Sequence, residues 1–179
     1  MANTRSDAET TLRGYIRDVP DFPKPGVLFR DLTPLLADSA ALELAIQSLA
    51  EPFVDAQIDF VVGTEARGFI FGAPVAARLG AGFIPVRKPG KLPGKILSAS
   101  YELEYGSDQV EMHADALGEG DHVLLVDDLI ATGGTAAATL ELVRRSGASV
   151  AGCAFLIELC FLKGREVLDV EPLHAVIRY

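Results

Sequence analysis

This sequence of 179 residues has few cysteines, no excess of basic residues and no long apolar run. Its two cysteines, Cys153 and Cys160, lie in one apolar segment, which indicates reduced core thiols rather than a disulfide or a metal site. The formal net charge of -9 argues against nucleic acid as the main partner. No apolar run reaches the roughly 18 residues of a membrane span, and the N-terminal residues lack the apolar stretch of a signal peptide. We therefore expect a cytoplasmic protein that binds neither nucleic acid nor membrane.

The sequence also lacks internal repeats, low-complexity tracts and a domain linker. Its 49% hydrophobic and 23% charged residues are ordinary for a globular chain, and its length suffices for one full core. Helix-like segments alternate with continuously apolar, strand-like segments such as "DFVVGTE" and "VLLVDD". Such strands are typical of a parallel sheet covered by helices on both faces. The sequence therefore predicts a single α/β domain over residues 1–179.

Local patterns give approximate bounds for several elements. Ser6 and Glu9 have capping-box spacing, which predicts a short helix to about Arg17. Four prolines between residues 20 and 34 exclude a regular helix or central strand, so we expect a packed loop there. Around "YGSD", alternating polarity predicts an antiparallel hairpin. The later pattern predicts a strand over His122–Asp127, a helix over Gly134–Ser146 and a strand over Ser149–Leu159.

A loop of small residues, "ATGGT", follows the strand-like segment "VLLVDD". In open parallel sheets, ligands bind beyond the carboxyl ends of strands, which is where Asp127 and Asp128 are expected. Gly133 and Gly134 permit a close backbone approach, and the amides that begin the next helix can bind phosphate. No Lys precedes Thr135 as in a Walker A loop, and G-x-G-x-x-G is absent, so a nucleoside triphosphate or dinucleotide is disfavoured.

Carboxylates beside a phosphate loop would repel the phosphate unless they bind another part of the same ligand. Acidic side chains commonly accept hydrogen bonds from ribose hydroxyls. A ribose 5-phosphate unit fits both halves of the segment, with its phosphate in "ATGGT" and its 2′ and 3′ hydroxyls on the two acids. A tight turn with exposed acids is the alternative interpretation of this motif alone.

The segment "VLLVDDLIATGGT" resembles the 5-phosphoribosyl 1-pyrophosphate (PRPP) signature of type I phosphoribosyltransferases. The similarity continues through "DFPKPGVLFRDLTPLL", "GTEARGFIFGAPVA", "RKPGKLPG", "YELEYGSDQVEMHADAL" and "ELCFLKGRE", and it is greatest to the members that act on adenine. The resemblance implies the type I fold: a mainly parallel central sheet flanked by helices, an N-terminal base-binding hood within residues 1–36 and a flexible hairpin at residues 98–116. It further implies a homodimer that converts adenine and PRPP to AMP and pyrophosphate in purine salvage, with Mg²⁺ held through PRPP and water.

The resemblance also assigns the ribose and its phosphate. Asp127 and Asp128 would bind the ribose hydroxyls. The 5′-phosphate would lie on the segment formed by Ala131, Thr132, Gly133, Gly134 and Thr135. In relatives that act on 6-oxopurines, an aspartate serving the base usually stands where this chain has Ala131. An alanine can neither take nor give a proton, which disfavours hypoxanthine and guanine.

"GTEARGF" resembles the pyrophosphate loop of the family. Backbone amides around Glu65 to Gly68, including that of Ala66, would hold the leaving group together with Arg67, whose planar donor fork suits phosphate. In such loops a non-proline cis peptide is known, and here we expect it at Glu65–Ala66. Without the other motifs, Arg67 could equally cap a helix at the surface.

Four cations, Arg87, Lys88, Lys91 and Lys95, fall within nine residues. A charge run is most often a solvated face, but a local positive region would attract a polyanionic substrate despite the acidic total. By resemblance, Lys91 reaches pyrophosphate, and Arg87 acts near a dimer interface. Lys91 and Arg67 would stabilise the charge that builds up on the leaving group.

The segment "PGVLFRD" is predicted to read a base edge with its backbone, because Pro25 and Gly26 keep it out of regular structure. The resemblance indicates adenine contacts from the backbone of Leu28 and Arg30. Phe29 could stack on the ring, or it could simply anchor the loop to the core.

Glu104, at the predicted hairpin tip, is the candidate proton carrier for adenine by resemblance. Alone, an exposed acid at a turn is nearly always inert, but a carboxyl group closed into a dry site has a raised pKa that suits proton transfer. Two other functions stay open. One is a transferase for another base, and the other is a PRPP-sensing regulator, which would need a nucleic-acid-binding surface that this acidic chain does not offer.

Overall fold

The structure is a computed structural model that describes residues 2–102 and 106–179. It forms two compact units, Met1–Ser48 and Leu49–Tyr179. The N-terminal unit contains α1 (Ala2–Arg13), β1 (Arg17–Pro20), β2 (Leu28–Asp31), α2 (Thr33–Ala37) and most of α3 (Ser39–Ala50). Helix α1 begins before the predicted Ser6 and ends before the predicted Arg17.

The proline-rich segment forms a β-hairpin, so the prediction of an irregular loop is wrong. β1 pairs antiparallel with β2, from Arg17 opposite Asp31 to Pro20 opposite Leu28. Within the described residues this sheet has two strands, so both are edge strands, where the missing N–H of proline is tolerated. Pro34 lies in the first turn of α2, where helices accept proline because the first N–H groups lack a helical partner.

The second unit alternates strands and helices. Its elements in chain order are β3 (Phe60–Thr64), α4 (Arg67–Leu79), β4 (Gly82–Val86), β5 (Ile96–Glu102), β6 (Ser107–His113), β7 (His122–Ile130), α5 (Gly134–Arg145), β8 (Ser149–Glu158), α6 (Gly164–Leu168) and β9 (Leu173–Arg178). In the described part of the chain, five strands form one parallel sheet in the order β4-β3-β7-β8-β9. This confirms the predicted α/β fold with a central parallel sheet.

The core of this unit lies between the sheet and α5. Val62, Leu125 and Phe155 of the sheet are buried together with Leu140 and Leu142 of the helix. Burying an aliphatic side chain of this size stabilises the fold by about 1.5–3 kcal/mol relative to leaving it exposed. The continuous apolar strands of the sequence therefore correspond to a sheet buried on both faces. Both cysteines are free thiols, as predicted, and burial raises the pKa of Cys153 to about 12.

β7 continues to Ile130 rather than ending at the predicted Asp127. Its parallel pairing with β3 ends where Gly63 lies opposite Val126. Its pairing with β8 continues to Ile130, which lies opposite Glu158. Asp127 and Asp128 therefore lie beyond the end of the β3 ladder while β8 still holds their backbone.

The predicted antiparallel hairpin is confirmed: β5 pairs with β6 from Ile96 opposite His113 to Glu102 opposite Ser107. Ala99, Val110 and Met112 are buried in the core of the unit. The predicted flexibility of the hairpin stays a prediction. Glu104 lies outside the described residues.

Candidate functional site

A pocket with a cavity volume of about 260 Å³ lies at the carboxyl ends of β3 and β7, beside the start of α5. Its lining consists of residues 64–67, 88, 127–136 and 155. The structure therefore brings together the acid pair, the predicted phosphate loop (residues 131–135) and the predicted pyrophosphate loop (residues 65–67). Parallel strands explain this meeting, because their carboxyl ends all lie at one edge of the sheet.

The acid pair is held close to Arg67. Asp128, which is only 5% exposed, has its Oδ2 atom 2.8 Å from Nε of Arg67. Asp127 accepts a hydrogen bond of 2.8 Å from the Asp128 amide. Burial, and then the charge of Asp128, raise the pKa of Asp127; burial also raises the pKa of Asp128, although the Arg67 guanidinium opposes this. Hydrogen bonds from hydroxyl groups would stabilise two carboxylates that lie this close together, as the ribose hypothesis requires.

Gly68 allows the start of α4 to approach the acid pair. A Cβ atom at this position would lie 2.8 Å from Oδ1 of Asp127. No real side chain tolerates such a contact unless the carboxylate moves. The absence of a side chain at Gly68 is therefore a condition for the arrangement of Arg67 and Asp127 in the pocket.

The predicted phosphate loop leads directly into α5. Gly133 has a φ of 85°, a left-handed conformation that favours glycine, and α5 begins at the next residue. The carbonyl of Gly133 accepts a hydrogen bond of 2.8 Å from the amide of Ala137, which closes the first helical turn. Residues 133–136 line the pocket, and the first amides of a helix, which lack a helical acceptor, can bind an anion.

Gly164, at the start of α6, supports this loop from behind. A Cβ atom on Gly133 would lie 2.6 Å from the Gly164 carbonyl oxygen. A Cβ atom on Gly164 would overlap the Ala131 carbonyl oxygen and lie 2.9 Å from the Gly133 nitrogen. Sequence analysis did not identify Gly164 as a site residue, and its only signal was its place in the family-like segment "ELCFLKGRE".

The Glu65–Ala66 peptide is cis, as the family resemblance implied. The Glu65 amide donates a hydrogen bond of 2.8 Å to the Val86 carbonyl, so the predicted pyrophosphate loop is tied to β4. Helix α4 begins immediately afterwards, at Arg67.

The cations of residues 87–91 are bound to acidic side chains. Glu65 forms ion pairs with Lys91 and Arg87 and also accepts a hydrogen bond of 3.1 Å from the Lys88 amide. The Lys91 ammonium, followed by the Lys88 amide, lowers the pKa of Glu65 to about 2. The Lys88 ammonium is bound to Asp108 of the hairpin. Three of the four cations predicted to form a positive region, Arg87, Lys88 and Lys91, therefore have an acidic partner in the structure.

The predicted adenine-binding residues belong to β2 in the N-terminal unit. Leu28 is 46% exposed, and the side chain of Arg30 forms an ion pair with Asp18. The rings of Phe29 and Phe22 pack edge to face, with their centroids 5.2 Å apart. Phe22 is itself 52% exposed, so this contact does not attach Phe29 to the core, and the proposed contacts with adenine stay a prediction.

Among the described residues, no helix is long and apolar enough to cross a membrane. In the same part of the chain, no group of three or more His, Cys, Asp or Glu side chains is placed to hold a metal ion.

Comparisons with known proteins identify the family. A model of the phosphoribosyl transferase domain matches residues 35–170. An adenine phosphoribosyltransferase of Methylococcus capsulatus is 61% identical over 168 residues, which cover 94% of this chain and 98% of that relative. The crystal structure of adenine phosphoribosyltransferase from Rhodothermus marinus has a TM-score of 0.92 at 55% identity, covering 97% of this chain and 99% of that one. The Saccharomyces cerevisiae enzyme, complexed with adenine and an imino-altritol bisphosphate, has a TM-score of 0.90 at 42% identity, covering 96% of this chain and 99% of that one. This chain therefore belongs to the adenine phosphoribosyltransferase family.

Proposed function

We propose that this protein transfers the 5-phosphoribosyl group of PRPP to adenine and releases pyrophosphate, forming AMP in purine salvage. The observation that carries the proposal is the pocket in which the acid pair, the phosphate loop and the cis-peptide loop meet. These three parts have the chemistry that one ribosyl diphosphate needs: hydroxyl acceptors, helix amides for the 5′-phosphate, and an Arg beside backbone amides for the diphosphate. The names of the similar proteins support the same reaction.

The residues of the pocket would bind PRPP in one orientation. The 5′-phosphate lies on residues 131–135, where the helix dipole and the first amides of α5 favour an anion. The 2′ and 3′ hydroxyls donate hydrogen bonds to Asp127 and Asp128. The diphosphate then points toward Glu65, Ala66 and Arg67, which line the same pocket.

The proposed reaction is a displacement at the anomeric carbon. The bond from adenine nitrogen N9 to this carbon forms as the bond to the pyrophosphate oxygen breaks, through an oxocarbenium-like transition state. Arg67 and Lys91 stabilise the negative charge that develops on pyrophosphate. Adenine loses one proton overall, and Glu104 is the proposed carrier of that proton.

Specificity for adenine is proposed to come from the backbone of Leu28 and Arg30, with Phe29 against the ring. Leu28, Phe29 and Arg30 lie in β2, which forms a two-stranded antiparallel sheet with β1. A carbonyl there matches the amino group of adenine but opposes the keto group of a 6-oxopurine. A mispaired buried polar group costs about 1–3 kcal/mol. Ala131, at the pocket, would provide no aspartate for such a base.

The proposal includes Mg²⁺ and a homodimer, both on the basis of the family resemblance. Mg²⁺ keeps several waters and prefers phosphate oxygens to an all-protein site. The pocket provides two adjacent carboxylates, which fit a PRPP-bound ion better than a dedicated protein site. When bound, the ion would neutralise part of the diphosphate charge. In the proposed homodimer, Arg87 would act near the interface. We also propose that the enzyme works in the cytoplasm.

The test is incubation with PRPP, Mg²⁺ and, separately, adenine, hypoxanthine, guanine, xanthine and orotate. We expect pyrophosphate release that depends on adenine, with AMP identified as the product. Activity with a different base alone would assign the protein to another substrate. Absence of any turnover, together with retention on nucleic acid at moderate salt, would favour the PRPP-sensing regulator.

A further inference from the structure

Glu65 is the acidic residue that holds Lys91, one of the two cations predicted to stabilise pyrophosphate. Its two carboxylate oxygens have different partners. Oε1 binds the Lys91 ammonium, whereas Oε2 lies 3.2 Å from Nε of Arg87 and 3.1 Å from the Lys88 amide. One oxygen therefore holds Lys91, and the other ties down the backbone that follows β4.

Lys91 is paired with a residue that lines the pocket but does not line the pocket itself. Glu65 and Lys88 line the cavity in the described structure, but Lys91 and Arg87 are not among its lining residues. The Lys91 side chain is 46% exposed, so water can reach its ammonium group and the chain has room to change rotamer. A diphosphate in the cavity, which Glu65 lines, would therefore compete with Oε1 of Glu65 for the Lys91 ammonium.

Resting on the proposed function, we infer that Glu65 is a placeholder anion whose Oε1 binds the Lys91 ammonium until a diphosphate takes over that ammonium. A single carboxylate carries one negative charge, and pyrophosphate carries several, so the exchange favours the ligand once it is bound. When pyrophosphate leaves, Glu65 recaptures Lys91. The carboxylate therefore competes with the product and weakens its binding, which shortens its residence in the site.

The discriminating variant is Glu65→Gln. The Gln amide oxygen can still accept the hydrogen bonds of the Lys88 amide and Arg87, while its NH₂ group replaces Oε1 and cannot accept one from Lys91. We expect Mg²⁺-pyrophosphate, titrated calorimetrically in the absence of adenine, to bind about two- to five-fold more tightly to the variant. This range follows from the strength of ion pairs at comparable exposure.

Lys91→Met separates the placeholder from a general charge effect. If Glu65 acts by holding Lys91, the affinity gained through Glu65→Gln is lost when Lys91→Met is already present. An equal gain in both backgrounds would mean that only a nearby negative charge was removed, and the inference would be overturned. Weaker binding by Glu65→Gln would also overturn it, since Glu65 would then help to position the cations for the ligand.

Glu111→Gln is the matched control. The Glu111 carboxylate accepts a hydrogen bond of 2.9 Å from Gly90 on the same loop, so this change also removes one negative charge while keeping an acceptor. It should alter pyrophosphate affinity by less than two-fold. If Glu65→Gln unfolds, Glu65→Asp replaces it, because a carboxylate shortened by one methylene also loses reach to Lys91; unchanged or weaker binding would then contradict the inference.

Binding and turnover have separate outcomes. If the wild-type protein forms no AMP but shows the Glu65–Lys91 coupling in pyrophosphate binding, the proposed reaction fails and the placeholder stands. If it forms AMP from adenine but the effects of Glu65→Gln and Lys91→Met on pyrophosphate binding are independent, the placeholder inference is wrong and the proposed reaction stands. A wild-type protein that binds no pyrophosphate would contradict the placeholder inference.

Discussion

Replacing Gly164 by Ala should displace the phosphate loop without altering any group that touches substrate. In the structure, the new Cβ atom would overlap the Ala131 carbonyl oxygen and lie 2.9 Å from the Gly133 nitrogen, whereas ordinary contacts begin at 3.4 Å. Both neighbours are backbone atoms, so no side-chain rotation relieves the clash. The loop and α6 therefore have to separate by at least about 0.5 Å, and overpacking of this kind typically costs about 1–3 kcal/mol of unfolding free energy.

The separation moves the amides that are proposed to hold the 5′-phosphate. A misplacement of about 1 Å can cost two orders of magnitude in rate, so we expect kcat/KM for PRPP to fall at least about ten-fold. Initial rates of AMP formation at saturating adenine and varied PRPP measure this, and thermal unfolding measures the stability loss. Gly118→Ala is the matched control, because a Cβ atom at Gly118 meets nothing within 4 Å. Wild-type kinetics and a wild-type melting temperature for Gly164→Ala would refute the reasoning.

Three further outcomes follow from the site. Because burial raises the pKa of Asp127, its ionised form opposes folding above its ordinary pKa of 3.8. Asp127→Asn should therefore raise the melting temperature at pH 7, lose this advantage below about pH 4 and weaken PRPP binding; a lower melting temperature at pH 7 would contradict this. The lowered pKa of Glu65 gives stability that is present above its ordinary value of 4.5 and lost as the pH falls toward 2. Urea unfolding across this range should show a smaller loss for Glu65→Gln than for wild type, and equal losses would exclude the effect. Tyr101→Phe removes a hydroxyl that lies 2.8 Å from the Lys88 ammonium and 3.0 Å from Asp108, so unfolding free energy should drop by about 1 kcal/mol. An unchanged urea midpoint would show that this hydroxyl contributes nothing to attachment of the hairpin.

Local patterns predicted most elements of the second unit. Glycine after an apolar helical run is a typical signal for a helix end, and Gly80 ends α4 in a left-handed conformation. The alternating polarity around "YGSD" correctly indicated the hairpin of β5 and β6. The proline-rich segment was the main error, because proline excludes a central strand but not an edge strand, and only the partner of a strand decides which of these it is.

By itself, the sequence determined the chemistry of the pocket: two acids after a buried strand, glycines where the chain turns into α5, and an Arg at the start of α4. These signals are local, since backbone freedom, helix amides and side-chain charge belong to a few adjacent residues. Only the tertiary structure decided that β7 continues along β8 past the acid pair, that Gly164 lies behind Gly133, and that Glu65 forms an ion pair with Lys91. Those contacts join segments far apart in the chain, and their distances depend on how strands and loops pack rather than on any short run of residues.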